Sequence, residues 1–378
     1  MKRKILYTAS TYSHLSSFHR PYLAEFRRLG WQVDVACGGA EMELSEADRV
    51  IHLPFVKRMT APANFRAVRI LHRQLAQEKY DLVSTHTSLA SFFTRLAVQG
   101  LRQRPLVVNM VHGYLFDDNT NRLKQSVLYG AERITAPVTD LLLTMNAWDT
   151  QFAQTHHLGK QVAEIPGIGV QFERLTPPQG ADRSMLRGEW GFSSDAFLLI
   201  YAAEFSARKN QAMLIQAMPQ LPDRVGLLLP GEGALRQACI DLARQLGVSD
   251  RVVFPGQVRE MGPWYATADC AVSASRSEGL PFNIMEAMYL GLPVIASAVK
   301  GHVDLIRQEK TGLLFPFQNG EAFVKAVETL LERPAFAAQL GQKGAQAVEP
   351  YRLSAVLPQV MDHYHTLAGT AQTLALSP

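Results

Sequence analysis

Short β-branched apolar runs alternate with longer amphipathic stretches along this chain of 378 residues. The first runs are Ile5–Ala9, Gln32–Cys37, Asp81–Thr85, Leu106–Val111 and Leu141–Met145. Their composition is typical of strands that are buried on both faces of a parallel sheet, and the stretches between them have helical spacing. Because parallel neighbours need a crossover element, the alternation predicts an α/β fold in which helices cover both faces of parallel sheets.

The alternation stops around residues 170–195, where Pro177-Pro178-Gln179-Gly180 interrupts any helix or strand. A second series then follows: Phe197–Ala202, Val225–Leu229, Val252–Phe254, Cys270–Ser273, Val294–Ala296 and Gly312–Phe315. We therefore predict two doubly wound, Rossmann-like domains, residues 1–175 and 176–350, with a terminal helix in 351–378 that packs back on the first domain. Ligands of such sheets bind outside the carboxyl ends of the strands, so we expect the active site in a cleft between the two domains.

The composition excludes several classes of protein. With 47% apolar and 19% charged residues the chain is neither disordered nor fibrous, and a net charge of +4 without a long Lys/Arg tract argues against a nucleic-acid partner. Cys37, Cys239 and Cys270 lie far apart in or beside apolar runs, which predicts buried free thiols, as in a reducing cytoplasm. No apolar stretch has the length of a signal peptide or a membrane span, and we expect a cytoplasmic protein.

One predicted helix, residues 64–80, carries a basic face. Arg66, Arg69 and Arg73 recur at spacings of three and four, which places them on one side of the helix. The pattern is compatible with an ordinary solvated face. It is also compatible with docking to an anionic membrane surface or to a phosphate-bearing acceptor.

Two glutamates carry the strongest chemical signal. The predicted strand Cys270–Ser273 ends in a loop that bears Glu278, and a helix begins near Pro281 or Phe282, since proline is tolerated in a first turn. The backbone N–H groups of such a helix start suit a diphosphate. Glu286, about one turn inside, is placed to accept hydrogen bonds from a ribose diol, and Glu278 to reach the hydroxyls of an attached sugar. Taken singly, either carboxylate is more often a solvated loop or helix residue.

Together these residues resemble a known family. Glu278 and Glu286, with seven residues between them, precede Ala287-Met288 and Gly291-Leu292-Pro293-Val294. The arrangement resembles the E-x(7)-E signature of retaining glycosyltransferases with the GT-B fold (group 1, family 4), and it is most similar to bacterial capsular and exopolysaccharide transferases. The resemblance covers nearly the whole chain. It implies two Rossmann-like domains facing a central cleft and a nucleotide-sugar donor, most commonly a UDP-sugar.

The resemblance also implies which residues hold the donor. Arg208 and Lys209 follow a strand where the family places a basic pair on the donor diphosphate, and fixed cations suit a leaving group that develops negative charge. Many members have Gly-Arg where this chain has Ala203-Glu204, so Arg208 would have to replace the missing arginine in part. The remaining donor contacts implied by the family are Gly231, Glu232, Leu280, Pro281, Phe282 and Asn283.

In the first predicted domain, His112 follows the strand Leu106–Val111. The family commonly has His-Gly at this position, with the imidazole beside the transferred sugar or the acceptor, whereas a lone histidine after a strand is often structural. His86 is a weaker second candidate. Asn146 and Asp149 also match related enzymes and are expected to shape the cleft.

The reaction implied by the family is transfer with retention at the anomeric carbon and without a metal ion. The chain has no Asp-x-Asp pair, and no Cys/His cluster competes as a metal site, so we expect no metal and no cofactor. The expected acceptor is a polyprenyl-diphosphate-linked saccharide, reached by peripheral contact with the inner face of the cytoplasmic membrane. A nucleotide-sugar 2-epimerase and a non-catalytic nucleotide-sugar-binding subunit are the alternatives that the sequence leaves open.

Overall fold

The computed structural model describes residues 2–40, 43–175 and 183–375. By their internal contacts these residues form two compact units. One contains the chain up to residue 169 together with the segment from residue 353 onward, and the other contains residues 170–352. The predicted linker Pro177–Gly180 lies outside the described residues.

The first unit is built on a seven-stranded sheet in which every pair of neighbours is parallel. Its strands are β1 (Lys4–Ala9), β2 (Gln32–Cys37), β3 (Arg49–His52), β4 (Leu82–His86), β5 (Leu106–Met110), β6 (Leu141–Thr144) and β7 (Gln161–Glu164). Their order in the sheet is β3-β2-β1-β4-β5-β6-β7. The helices between them are α1 (Tyr12–Phe18), α2 (Arg20–Arg28), α3 (Pro62–Glu78), α4 (Ser88–Val98), α5 (Arg122–Thr135) and α6 (Ala147–Thr155).

The second unit repeats this plan with six parallel strands. Its strands are β8 (Phe197–Ile200), β9 (Val225–Pro230), β10 (Val252–Gly256), β11 (Cys270–Ser273), β12 (Val294–Ser297) and β13 (Leu313–Phe315). They are arranged in the order β10-β9-β8-β11-β12-β13. Its helices are α7 (Arg183–Glu189), α8 (Gln211–Ala217), α9 (Arg236–Gln245), α10 (Gly262–Thr267), α11 (Phe282–Tyr289), α12 (His302–Leu305), α13 (Gly320–Glu332) and α14 (Pro334–Val348).

The last helix, α15 (Leu353–Ala375), belongs to the first unit. The hydroxyl of Tyr364 lies 2.6 Å from Oγ of Ser84 in β4, and the Tyr364 ring meets Phe26 of α2 edge to face. The Tyr364 side chain is buried, and its ring and hydroxyl contacts stabilise the packing of α15 on the first sheet.

The predicted α/β fold is confirmed, and every predicted run is a strand whose bounds agree to within two residues. Two strands escaped prediction, β3 and β7, which form the two edges of the first sheet. Their residues are only partly buried or exposed, so these strands lack the continuous apolar run of a central strand.

The strand order fixes where side chains can converge. In the first sheet the order reverses between β1 and β4, and in the second between β8 and β11. Loops that leave the carboxyl ends of the strands on either side of such a reversal diverge and open a crevice. The residues predicted to have chemical roles lie on these loops and their neighbours.

Two further predictions concern the core and the helices. Cys37, Cys239 and Cys270 are buried free thiols, as predicted. Within the described ranges, no helix combines the length and the apolar character that crossing a bilayer requires.

Candidate donor site and histidine cluster

Glu278 lies in the loop after β11, buried between two cations. Nζ of Lys209 is 2.5 Å from its Oε1, Nη1 of Arg208 is 2.8 Å from its Oε2, and the Ser275 hydroxyl donates to Oε1 at 2.6 Å. Burial alone would raise the pKa of this carboxyl, but Lys209, Arg208 and His302 outweigh it and lower the pKa to about 2. Glu278 is therefore ionised at neutral pH, with its charge balanced by the two basic side chains.

The loops after β8 and β11 are tied together beneath this cluster. The hydroxyl of Tyr201, the first residue after β8, lies 2.6 Å from Oγ of Ser275 and 3.2 Å from the carbonyl oxygen of Lys209. The backbone N–H of Arg276 donates to the carbonyl of Arg208 at 2.8 Å. These contacts bring the basic pair next to a glutamate that is 69 residues away in sequence.

The loop after β12 closes the cluster from a third side. The carbonyl of Lys300 accepts the Glu278 N–H at 3.2 Å, and Gly301 has φ +82°. A Cβ atom on Gly301 would lie 2.8 Å from Cβ of Glu278, so only glycine fits there. His302 follows, buried, with Nδ1 2.8 Å from the carbonyl oxygen of Ser297. Sequence reasoning missed these residues. His112 was identified by a His-Gly pair after a strand, and the order here is the reverse, Gly301-His302.

The helix α11 begins where the sequence predicts. Pro281 is its N-cap, and no side chain among the described residues caps it, so its start retains the positive end of the helix dipole. Glu286 lies one turn inside, with Oε2 3.0 Å from the hydroxyl of Tyr265, which is also 3.1 Å from the carbonyl oxygen of Asn283. Burial raises the pKa of the Glu286 carboxyl to about 7, although the Tyr265 hydrogen bond opposes that shift.

The predicted glycine turn after β9 lies against the loop after β8. The N–H of Ala203 donates to the carbonyl of Pro230 at 3.0 Å, and the N–H of Phe205 to the carbonyl of Glu232 at 2.9 Å. Gly231 has φ +144°, and a Cβ atom there would lie 2.1 Å from the carbonyl oxygen of Ala203. Glycine is required because the two backbones approach each other so closely.

The second unit thus brings Arg208, Lys209 and Glu278 into direct contact. Pro281 is buried at the start of α11, whereas Leu280, Phe282, Asn283 and Glu286 are half-buried in the loop and first turns. The side chains of Glu204 and Glu232 are exposed, and Oε1 of Glu232 lies 3.6 Å from Nε of Arg236. The individual roles of these residues toward a donor stay predictions.

In the first unit, His112 belongs to a cluster of four histidines. Nδ1 of His86, the last residue of β4, is 3.3 Å from Nε2 of His112. From the segment after β1, Nε2 of His14 and Nε2 of His19 are also 3.3 Å apart, and the rings of His19 and His86 have centroids separated by 4.0 Å. Sequence reasoning identified only His86 and His112, because the four residues come from three separate segments.

The cluster is electrically neutral near pH 7. Burial lowers the pKa of His14 to about 4, and burial together with the neighbouring histidines holds the pKa values of His19, His86 and His112 well below the usual range. An imidazole that loses its contact with water is less easily charged, and a charged neighbour would add repulsion.

Asn146 and Asp149 shape the loop that carries His112. Asn146 caps α6 by accepting the N–H of Asp149 at 2.9 Å. Oδ2 of Asp149 in turn accepts the N–H of Tyr114 at 3.0 Å, two residues after His112. Both side chains are buried, so they fix the backbone beside the histidine cluster.

Comparisons with known proteins agree with this architecture. Residues 182–347 match the family described as glycosyl transferases group 1, and residues 19–167 match the glycosyl transferase 4-like domain. The chain is 23% identical over 329 residues to the UDP-Gal:alpha-D-GlcNAc-diphosphoundecaprenol alpha-1,3-galactosyltransferase of Escherichia coli, covering 83% of this chain and 84% of that one. The structure of Alr3699/HepE from Anabaena in complex with UDP and glucose superposes with a TM-score of 0.76, at 20% identity, over 96% of this chain and all of that one.

A further relative has higher identity over more of the chain. The putative glycosyltransferase EpsD of Bacillus subtilis (strain 168) is 31% identical over 369 residues, which cover 96% of this chain and 97% of EpsD. With this identity over nearly the full length of both chains, and with two Rossmann-like domains of the GT-B type, the protein belongs to the group 1 glycosyltransferases.

Proposed function

We propose that this glycosyltransferase transfers a sugar from a UDP-sugar to a polyprenyl-diphosphate-linked saccharide, with retention at the anomeric carbon, in bacterial surface polysaccharide synthesis. The observation that carries the proposal is the buried Glu278, held by Lys209 and Arg208 at the strand-order reversal of the second sheet. The names of two similar proteins support the substrate classes. One uses UDP-Gal and a diphosphoundecaprenol-linked sugar, and the other was solved with UDP and glucose.

The proposed chemistry follows from the charges of the site. As the bond between the anomeric carbon and the donor phosphate oxygen breaks, the nucleoside diphosphate leaves with the electron pair, the acceptor hydroxyl oxygen bonds to the anomeric carbon, and its proton passes to the departing phosphate oxygen. Lys209, Arg208 and the start of α11 stabilise the charge that develops on it. These fixed cations do the work that a metal ion does elsewhere, so the diphosphate needs none.

Two carboxylates position the rest of the donor in this proposal. Glu278 accepts hydrogen bonds from the sugar hydroxyls, and Glu286 accepts them from the ribose diol. We assign His112 to the transferred sugar or to the acceptor, for which its low pKa makes it a neutral hydrogen-bonding group. Holding the reacting groups in one geometry is the main contribution of such a site to the rate.

We further propose that the enzyme contacts the membrane that holds its acceptor. Two helices of the first unit have suitable exposed surfaces. The basic face of α3 consists of the exposed Arg66, Arg69 and Arg73. The apolar stripe of α5 consists of Leu123, Val127 and Ile134, which are 76%, 65% and 57% exposed. Their spacing puts them on one face of α5, as in helices that lie in a membrane interface.

Nucleotide release with UDP-, GDP- and ADP-sugars tests the proposal, measured with and without a bacterial lipid extract. We expect release from a UDP-sugar that requires the extract and is lost in Glu278→Gln but kept in Glu332→Gln, an exposed glutamate of the same unit. The configuration of the new linkage, determined by NMR, tests retention. Turnover of the donor without extract would instead indicate an epimerase, and donor binding without any turnover a nucleotide-sugar-binding subunit.

A further inference from the structure

We infer that the histidine cluster of the first unit is a binding site for a divalent transition-metal ion, with His14, His19 and His112 as its ligands. These three residues each offer one ring nitrogen, and the three nitrogens lie within 4.8 Å of one another. His14 and His19 lie in and after α1, which follows β1, and His112 follows β5. The site therefore lies at the carboxyl end of the first sheet, beside its strand-order reversal.

One distance in the cluster already matches a coordination geometry. Two imidazole nitrogens bound to the same tetrahedral zinc ion, each about 2.0 to 2.1 Å from it, are separated by about 3.3 to 3.4 Å. Nε2 of His14 and Nε2 of His19 are 3.3 Å apart. The third ligand lies farther away, so binding draws the half-buried His14 and His112 toward the buried His19.

Two histidines outside the cluster are held differently. Nδ1 of His72 lies 2.8 Å from the carbonyl oxygen of Ala97, and Nδ1 of His302 lies 2.8 Å from that of Ser297. A hydrogen bond to a backbone carbonyl satisfies one ring nitrogen and fixes the ring, as expected for a structural histidine. Nε2 of His302 has no hydrogen-bond partner among the described residues, but its other nitrogen is held by the backbone. By contrast, neither nitrogen of the buried His19 is held in this way: its Nδ1 has no hydrogen-bond partner in the described part of the chain, and its Nε2 faces another imidazole.

A chain of hydrogen bonds through Ser84 and His86 orients the His112 ring. Oγ of Ser84 lies 2.6 Å from the Tyr364 hydroxyl and 2.9 Å from Nε2 of His86, whose Nδ1 is 3.3 Å from Nε2 of His112. When Nε2–H of His112 donates to Nδ1 of His86, and Nε2–H of His86 donates to Ser84, the neutral His112 ring carries its available lone pair on Nδ1. Outer partners of this kind fix the tautomer of metal-bound histidines in many proteins.

The ligand types select the class of ion. The group consists only of imidazoles, which suit zinc, copper and nickel, whereas magnesium, calcium and manganese prefer oxygen ligands. Three protein ligands leave a position for water or for an oxygen of a bound molecule. The inference does not rest on the proposed function. The two share His112, but the diphosphate contacts lie in the second unit, and zinc binding is measured without donor or acceptor.

Zinc binding by the full chain, purified without a histidine tag and stripped of metal, tests the inference. After dialysis against Zn²⁺, elemental analysis should give one zinc per chain, and Co²⁺ in its place should give the visible absorption of a tetrahedral complex. His14→Gln and His112→Gln should each lose this zinc. His52→Gln, which alters an exposed histidine of β3, should keep it. Ser84→Ala should weaken binding by about 10- to 100-fold.

Circular dichroism of each variant separates loss of a ligand from loss of the fold. If both ligand variants lose zinc and keep the native helix content, the result supports the site. Two variants at half-buried positions are used so that the test does not depend on one variant that misfolds. Zinc retained equally by native protein, His14→Gln and His112→Gln would show adventitious surface binding only and would overturn the inference. The absence of stoichiometric zinc in the native chain would overturn it as well.

Discussion

Nζ of Lys209 and Oε1 of Glu278 lie 2.5 Å apart, in the loops that follow β8 and β11. In the proposed reaction the same two groups serve different parts of the donor, the lysine its diphosphate and the glutamate its sugar. A diphosphate that binds here therefore competes with Glu278 for the lysine and for Arg208. Because of this competition, a mutation at Glu278 should affect UDP binding and sugar transfer differently.

Glu278→Gln should lower the transfer rate by about 100- to 1,000-fold, as the loss of one well-placed polar group in an active site commonly does. The same change removes the carboxylate that competes for Lys209 and Arg208, so the affinity for UDP should stay equal or rise. Calorimetry measures the affinity for UDP, and turnover assays measure the transfer rate. Glu332→Gln is the control for both. A clear fall in UDP affinity would show that Glu278 does not compete with the diphosphate.

Lys209→Ala should weaken both UDP binding and the fold. The side chains of Glu278 and Lys209 are only 7% and 12% exposed, so the change leaves a buried carboxylate with one ion-pair partner, Arg208, which is itself 45% exposed. Removal of one member of a buried pair costs about 3 to 5 kcal/mol of unfolding free energy. Urea unfolding measures this loss. The control is Lys343→Ala, which changes an exposed lysine of the same unit. Equal stability of the two variants would show that Lys209 does not stabilise the fold through Glu278.

Donor affinity should depend on pH through Glu286. Its carboxyl has a pKa raised to about 7, and hydroxyl donors of a ribose favour the ionised form. UDP binding then releases a proton, so affinity should rise as the pH increases toward 7 and should fall by up to about tenfold for each pH unit below it. Since UDP itself titrates, the measured quantity is the ratio of affinities of native protein and Glu286→Gln. A ratio that does not change with pH would contradict the role.

Gly231→Ala should destabilise the second unit. The new methyl group would lie 2.1 Å from the carbonyl oxygen of Ala203, at a φ of +144°. Such backbone strain costs about 1 to 3 kcal/mol, before the displaced loop is counted. Gly188 of α7 is the matched control because a Cβ atom there meets nothing within 4 Å. Gly188→Ala should be neutral or slightly stabilising in thermal unfolding, and equal losses in both variants would refute the explanation.

The sequence predicts the central strands because burial on both faces demands uninterrupted apolar runs. At the sheet edge this demand weakens, which is why Arg49–His52 and Gln161–Glu164 escaped prediction. The start of α11 was also predictable, since a local signal, Pro281, marks it, although this proline lies at the N-cap and not in the first turn.

Contacts between distant segments were harder to predict. Sequence reasoning assigned Lys209 to a phosphate and Glu278 to a sugar, but it did not predict that they contact each other. Their separation in sequence carries no local signal, and the contact depends on the sheet order and on Gly301, where only glycine allows the close approach. The histidine cluster escaped for the same reason, since His14 and His112 meet only through the arrangement of β1, β4 and β5.

If the first unit contacts a membrane, its two surfaces should contribute in different ways. Leu123→Ser combined with Val127→Ser removes two apolar side chains, each able to contribute about 1.5 to 3 kcal/mol when buried, so binding to anionic vesicles should fall by at least about tenfold at any salt concentration. Glutamates in place of Arg66, Arg69 and Arg73 should instead abolish the part of the binding that salt screens. Vesicle sedimentation at low and high salt distinguishes the two effects, with Leu235→Ser as a control in the second unit, where that leucine is 40% exposed. If both sets of variants bind as the native protein does, neither helix is the membrane contact.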